Sequence, residues 1–285
     1  MINNRKSVLL NPPLPGARNR WRSAGNRRHV ADTASNEELG RSMYDHKQSI
    51  KEVIRHGLFR CGLNDALDLL RHWRGQNTRH LRLQDIGHVF SQIYADQVWV
   101  GRKDQDSLSG AGSTQVATGQ LVDQLSDFLQ EVGCRRLVDI GCGDFNWMRK
   151  VRGDFEYLGI DAVAEVIRAN NASFANGRRK FICLDATRAA VEPGDVALCR
   201  EVLFHLSFRD GIQLLRNIEA AGFRYVLLTN DKSVWFNSDI RNGDYRRVNL
   251  QKSPYVLPRP DRELVDDKVS RRRVLAVWPG AALTV

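Results

Sequence analysis

Leu137-Val-Asp-Ile-Gly-Cys-Gly-Asp-Phe-Asn-Trp147 opens on a short apolar run and closes on a turn punctuated by glycine. The run Leu137 to Ile140 predicts a buried strand that carries Asp139 toward its carboxyl end. Gly141 and Gly143 then let the backbone turn sharply and approach a ligand closely. In open α/β sheets, ligands bind at that edge.

Working outward, short apolar runs alternate with helical patterns. Strands are predicted at Leu137 to Ile140, Tyr157 to Ile160, Phe181 to Leu184, Val196 to Cys199 and Tyr225 to Thr229, and helices around Ala162 to Asn171 and Phe208 to Ala221. After Thr229 only Arg273 to Trp278 regains strand character. Strands alternating with helices imply right-handed crossovers and a parallel sheet.

A Gly-x-Gly after a strand fits NAD, a flavin, S-adenosylmethionine or an empty turn. Asn146 stands where the dinucleotide fingerprint wants its third glycine, which counts against NAD. The second strand ends in Asp161, where a carboxylate can accept hydrogen bonds from a ribose diol, and the third in Asp185, where it can accept from an adenine amino group. Each carboxylate alone reads as a helix cap or a turn residue, but acids at the tips of three successive strands point to a ligand. The loop Ser109-Gly-Ala-Gly-Ser-Thr114 lacks the Gly-Lys-Ser/Thr ending of a P-loop.

The order Val-Asp-Ile-Gly-Cys-Gly143, Leu-Gly-Ile-Asp161, Cys-Leu-Asp185, then Leu-Cys-Arg-Glu-Val-Leu-Phe-His-Leu206 resembles the class I S-adenosylmethionine-dependent methyltransferases. More narrowly, Cys-Gly-Asp-Phe-Asn-Trp-Met148, the segment through Ser207, Val-Asn-Leu-Gln251 and Pro-Tyr-Val-Leu-Pro258 resemble a bacterial subgroup. The resemblance spans roughly Phe90 to Trp278. It implies a doubly wound, mostly parallel, Rossmann-like α/β sheet with a reversed last strand, preceded by a helical segment, and S-adenosylmethionine as cofactor. Carried over by residue, it places Gly141 and Gly143 beneath the methionine moiety, Asp139 near its ammonium, Asp161 at the ribose and Asp185 at the adenine. Gly112 and Ser113 would close over the cofactor, with Trp99 behind. Glu201 stands where the resemblance leads one to expect Asp.

Methyl transfer to oxygen also needs a base with a pKa near neutrality. His205, after the fourth strand, is the first candidate, against a packing histidine bonded to backbone; Glu201 is the second. Arg200 would orient an acidic or sugar substrate, or pair with Glu201 or Asp144. Trp147 would form a substrate platform or pack in the core, and Trp235, Phe236 and Tyr245 stand open between the two.

The chain has 285 residues, 42% of them hydrophobic, enough for one full core. No apolar stretch approaches the ~20 residues of a membrane span. Five scattered cysteines without metal-ligand spacing read as reduced, buried thiols in a cytoplasmic protein with no metal site. The net charge of +10 is concentrated at the start: residues 1 to 30 carry seven Arg and Lys and no acid, and taking those seven from 43 leaves 36 against 33 acidic residues. Residues 1–36 therefore read as a disordered basic arm, solvated or bound to nucleic acid, and a transit peptide has the same composition. Residues 37–105 read as a helical preamble with an N-cap at Asn64, an apolar face of Leu63, Leu67, Leu70 and Trp73, and a second stripe through Ile86, Val89, Phe90, Ile93 and Tyr94; they are expected to cover one edge of the domain at 106–285.

The expected function is O-methylation of a small molecule or saccharide. The alternatives are an RNA or protein methyltransferase recruited by the arm, and a non-catalytic module that binds cofactor or a partner.

Overall fold

The computed structural model describes residues 53–284 except 55, 60 and 101–104, so the arm expected over 1–36 lies outside the described residues, as does the start of the helical preamble. Seven strands form one sheet: β1 (Arg136–Ile140), β2 (Glu156–Asp161), β3 (Arg179–Cys183), β4 (Val196–Cys199), β5 (Tyr225–Asp231), β6 (Arg262–Val265) and β7 (Arg273–Pro279). Their order is β3-β2-β1-β4-β5-β7-β6. The first five run parallel, and β7 is antiparallel to both β5 and β6. The fold is thus α/β and doubly wound, with the reversed last strand that the resemblance implies. Strand order reverses between β1 and β4, and the gap beyond their carboxyl ends is the topological switch point where such sheets bind ligands.

The central strands are buried on both faces, which is why they read as unbroken apolar runs. Side chains alternate across the pleat. Val138, Ile140, Ala197 and Leu228 face a cluster that includes Leu214, Leu215 and Ile218 of helix α5 (Phe208–Ala220). Leu137, Leu198, Leu227 and Val277 face the other side, where Leu121, Leu125, Phe128 and Leu129 of α3 (Gln115–Glu131) pack. Thr114 caps α3 and Ser207 caps α5, each hydroxyl accepting a backbone N–H three residues on. α4 (Ala164–Phe174) connects β2 to β3.

Several expectations need correction. β6 is absent from the sequence reading because it is a four-residue edge strand in which Leu264 alone is buried, so it shows no apolar run. β3 ends at Cys183, which places Asp185 in the following loop. α1 (Asn64–Trp73) has Leu63 as its N-cap with no side-chain capping bond, so Asn64 is its first residue and not its cap. Leu63, Leu70 and Trp73 are exposed, Trp73 at 80%. Charges instead tie α1 to the rest: Arg241 reaches Asp65 and Asp68 at 2.8 and 3.0 Å, and Arg71 reaches Asp244 at 3.0 Å. α2 (Ile86–Ala95), capped by Asp85, does bury its stripe, with Ile86, Val89 and Ile93 inside. Cys134, Cys142 and Cys199 are buried as expected, whereas Cys61 and Cys183 are exposed. No described helix is long and apolar enough to cross a membrane, and no group of three metal-ligating side chains occurs among the described residues.

Candidate active site

Gly141 and Gly143 have φ of +75° and +56°, the left-handed region that disfavours side chains. The amides of Gly141 and Cys142 both donate to the Ile160 carbonyl, at 2.8 and 3.0 Å, which folds the turn back onto β2. Neither glycine has room for a side chain. A Cβ on Gly141 would lie 2.2 Å from Val202, and one on Gly143 would lie 2.4 Å from the Ser109 hydroxyl.

The rest of the motif fastens a strap over this turn. Asp144 accepts from the Leu108 amide at 2.7 Å and the Ser107 hydroxyl at 2.9 Å, and donates its own amide to Ser109 Oγ at 3.0 Å. Tyr94 shares a 2.7 Å hydrogen bond with the same Ser109 Oγ. Asn146 donates to the Ser113 carbonyl at 3.2 Å. The asparagine that displaces the third glycine of a dinucleotide fingerprint thus has a structural task, holding Ser113 against the turn. No local sequence signal marks Ser107, Ser109 and Asp144 as partners, because their pairing spans about 36 residues of chain.

Above the turn lies a cavity at the switch point. Gly141, Gly143, Asp161, Asp185, Ser113, Glu201 and His205 all border it, as does Arg200. Its outer wall comes from Ile86, Phe90 and Tyr94 of α2 and from Trp99. This part of the helical preamble therefore contributes to the site. Asp139, Gly112 and Trp147 do not border the cavity.

Asp161 accepts from the amides of Gly143 and Val163, each at 3.0 Å, and burial nevertheless raises its pKa. Asp185 spends Oδ1 on the amide and hydroxyl of Thr187, at 2.9 and 2.7 Å. Its Oδ2 is buried without a hydrogen-bond partner, 3.6 Å from the Arg188 guanidinium. Ion-paired but not hydrogen-bonded, that oxygen keeps lone pairs with which to accept from a ligand donor. Asp139 is 3% exposed and accepts from Tyr157 Oη at 2.7 Å; burial pushes its pKa up to about 7 despite that bond.

Past β4 the chemistry changes. Arg200 forms a two-pronged pair with Asp266, at 3.0 and 2.8 Å, donates to the Gly112 carbonyl at 2.8 Å, and lies 5.1 Å over the Trp147 ring. Arg273 bonds the same Asp266 at 3.2 Å and also the Glu201 carboxylate. The guanidinium expected to meet substrate is thus already committed inside the protein, and Trp147, 6% exposed, is core packing beneath it. Gly112 serves through its carbonyl and its small size, since a Cβ there would lie 2.2 Å from Glu201 Oε2. Glu201 adopts φ +61°, strained for a non-glycine residue, with its amide donating to Thr229 Oγ1 at 2.8 Å. Burial would raise its pKa, but Arg200 and Arg273 hold the carboxyl below its ordinary value.

His205 ends a short 3₁₀ turn, Leu203–His205. Its Nδ1 lies 3.0 Å from the Asp244 carbonyl, which can only accept, so Nδ1 carries the proton and Nε2 keeps its lone pair. Burial lowers its pKa, partly offset by Glu201. The ring sits between Trp99 and Tyr245, with centroids at 4.9 and 5.5 Å. Tyr245 thus belongs with His205, whereas Phe236 packs on His56 and the exposed Trp235 lies against Phe236.

No protein-family model matches the chain, and no curated protein matches its sequence. Solved structures do match. The magnesium protoporphyrin IX methyltransferase of Synechocystis PCC 6803 with bound S-adenosylmethionine is 16% identical, with a TM-score of 0.43 over 55% of this chain and 82% of that one. The N-methyltransferase NodS from Bradyrhizobium japonicum WM9 is 14% identical, with a TM-score of 0.43 over 57% of this chain and 96% of that one.

Proposed function

We propose that this chain is an S-adenosylmethionine-dependent methyltransferase that methylates an oxygen of a small molecule or saccharide. The observation that carries the reading is the Asp185 Oδ2 atom, buried and without a hydrogen-bond partner on the wall of a switch-point cavity. The residues around it fit the donor: the left-handed turn at Gly141 and Gly143 brings backbone to the cavity, and Asp161 and Asp185 offer acceptors for a ribose and an adenine amino group.

When bound, the donor supplies a methyl group on a sulfonium, already an excellent leaving group. What remains for the protein is alignment, exclusion of water and removal of the acceptor proton. Ser109 and Ser113 of the strap and the rings of Phe90, Tyr94 and Trp99 form part of the cavity wall. His205 Nε2 takes the proton from the acceptor hydroxyl. The lowered pKa keeps the imidazole neutral, and therefore able to accept, at neutral pH. Glu201 is the weaker base, because two arginines favour its ionised form and so reduce its pull on a proton.

The reading is tested first by thermal shift. S-adenosylmethionine and its demethylated product should each stabilise the protein, by about 2.7 kcal/mol at ~100 times the dissociation constant, and NAD should not. A shift with NAD alone would overturn it. Methyl-labelled donor incubated with fractionated cell extract then identifies the acceptor. On that acceptor, His205→Ala should slow turnover by roughly 10² to 10⁴ while donor affinity changes by only a few fold. Normal turnover would remove both the base and the assignment to oxygen.

A further inference from the structure

Three carboxylates border the cavity among the described residues, namely Asp161, Asp185 and Glu201. Asp161 and Asp185 stand at the β2 and β3 side of the switch point. Glu201 alone stands on the β4 side, next to the residue whose side chain fills the space over Gly141. It is also close enough to His205 for the two charges to influence one another. If His205 removes the acceptor proton, the methyl is transferred on this side of the cavity, which Glu201 and His205 both border.

The carboxylate belongs to a four-charge cluster with one face toward the cavity. The side chains of Arg273 and Asp266 are 0% exposed and that of Arg200 is 3% exposed, whereas that of Glu201 is 20% exposed. Arg273 and Asp266 do not border the cavity, Arg200 and Glu201 do, and of the four Glu201 is the most exposed. The backbone of Glu201 is held at φ +61°, a conformation a Glu adopts only when its surroundings enforce it. Asp266 occupies both arginines from the far side and so fixes the direction in which each reaches Glu201.

We propose that Glu201 is the counter-charge to the donor's sulfonium and the residue by which the protein tells the charged donor from its neutral-sulfur product, with Arg200, Arg273 and Asp266 as positioning residues that aim it. This rests on the methyltransferase reading. S-adenosylmethionine and S-adenosylhomocysteine differ by the methyl and by one positive charge on sulfur, so an anion at that sulfur stabilises the first and leaves the second almost unaffected. Product release follows from the same contact, because the attraction disappears when the methyl leaves.

The test is calorimetric titration of the full chain with each compound. In Glu201→Gln, affinity for S-adenosylmethionine should fall about tenfold or more, the range expected for losing a charge-assisted contact, with affinity for S-adenosylhomocysteine within about threefold of the parent. Glu201→Asp keeps the charge on a shorter arm and should retain part of the preference, which also covers the case in which the glutamine variant does not fold. Asp266→Asn should erode the ratio of the two affinities in the same direction. A merely structural role would weaken both compounds together, and that result, or a ratio unchanged in all three variants, overturns the proposal. A parent that binds neither compound overturns the methyltransferase reading itself, a different failure.

Discussion

Asp161 and Glu201 stand at the tips of β2 and β4, the two neighbours of β1, yet the protein holds them by opposite means. Asp161 is held by backbone: the amide of Val163 two residues on, and that of Gly143 in the adjoining turn. Glu201 is held by side chains from far along the chain, above all Arg273, 72 residues away on the reversed strand. Backbone donors are fixed as soon as the turn forms, so that carboxylate needs no further partner. A carboxylate held by guanidinium groups depends on those groups being aimed in turn, which is the task of Asp266. The difference teaches that the β2 side of the site is built with the sheet, whereas the β4 side is completed only when β6 and β7 dock.

The largest expected effect lies on the β4 side. Asp266→Ala leaves Arg200 and Arg273 buried with one carboxylate between them, and breaking a buried pair in this way costs about 3 to 5 kcal/mol. The midpoint of urea unfolding should show it. A cost under about 1 kcal/mol would mean that Glu201 can satisfy both arginines, and the contrast between the two sides would collapse.

Gly143→Val breaks the comparison from the other side. Strain at φ +56° costs on the order of 1 to 3 kcal/mol, and the added side chain overlaps Ser109 Oγ, so the strap should lift and donor binding should be lost in calorimetry. Binding like that of the parent would show that the strap and turn are not the donor's floor.

Asp161→Ala should weaken donor binding by about 1.5 to 3 kcal/mol, through loss of the ribose acceptor. Because Gly143 and Val163 lose a partner as well, a smaller loss of thermal stability should accompany it, unlike a residue that only meets ligand.

The remaining effects are spread out as gradual slopes with pH, and the two buried groups that give them have opposite signs. His205 has its pKa lowered by burial, so between that value and 6.5 the unfolded chain binds more protons, and stability present above pH 6.5 is lost as pH falls. Asp139 has its pKa raised from 3.8 to about 7, so across that window the folded protein holds the extra proton and stability declines as pH rises. Each group contributes at most about 1.4 kcal/mol per pH unit. Stability curves of His205→Gln and Asp139→Asn should differ from the parent in opposite directions. Parallel curves would remove the claim that both groups are buried in the states described.

The amino-acid sequence by itself determined the parallel core, the glycine turn and the carboxylates on the β2 and β3 side. Those features are encoded over short spans, by apolar runs of four or five residues and by a turn that only glycine can make. Tertiary structure alone decided the rest. The charged clamp joins residues 66 and 72 positions apart, and nothing in the local pattern of Asp266 or Arg273 marks them as partners. The pairing of Arg200 with Asp266 has the same cause, since an arginine reads alike whether its partner is a ligand or a distant aspartate. The docking of α1 through Asp65, Asp68 and Arg71 while Leu70 and Trp73 face out reverses what helical periodicity implies, because ionic pairing is set by what the neighbouring loop brings near. Local patterns fix which elements form; only packing decides which charges meet.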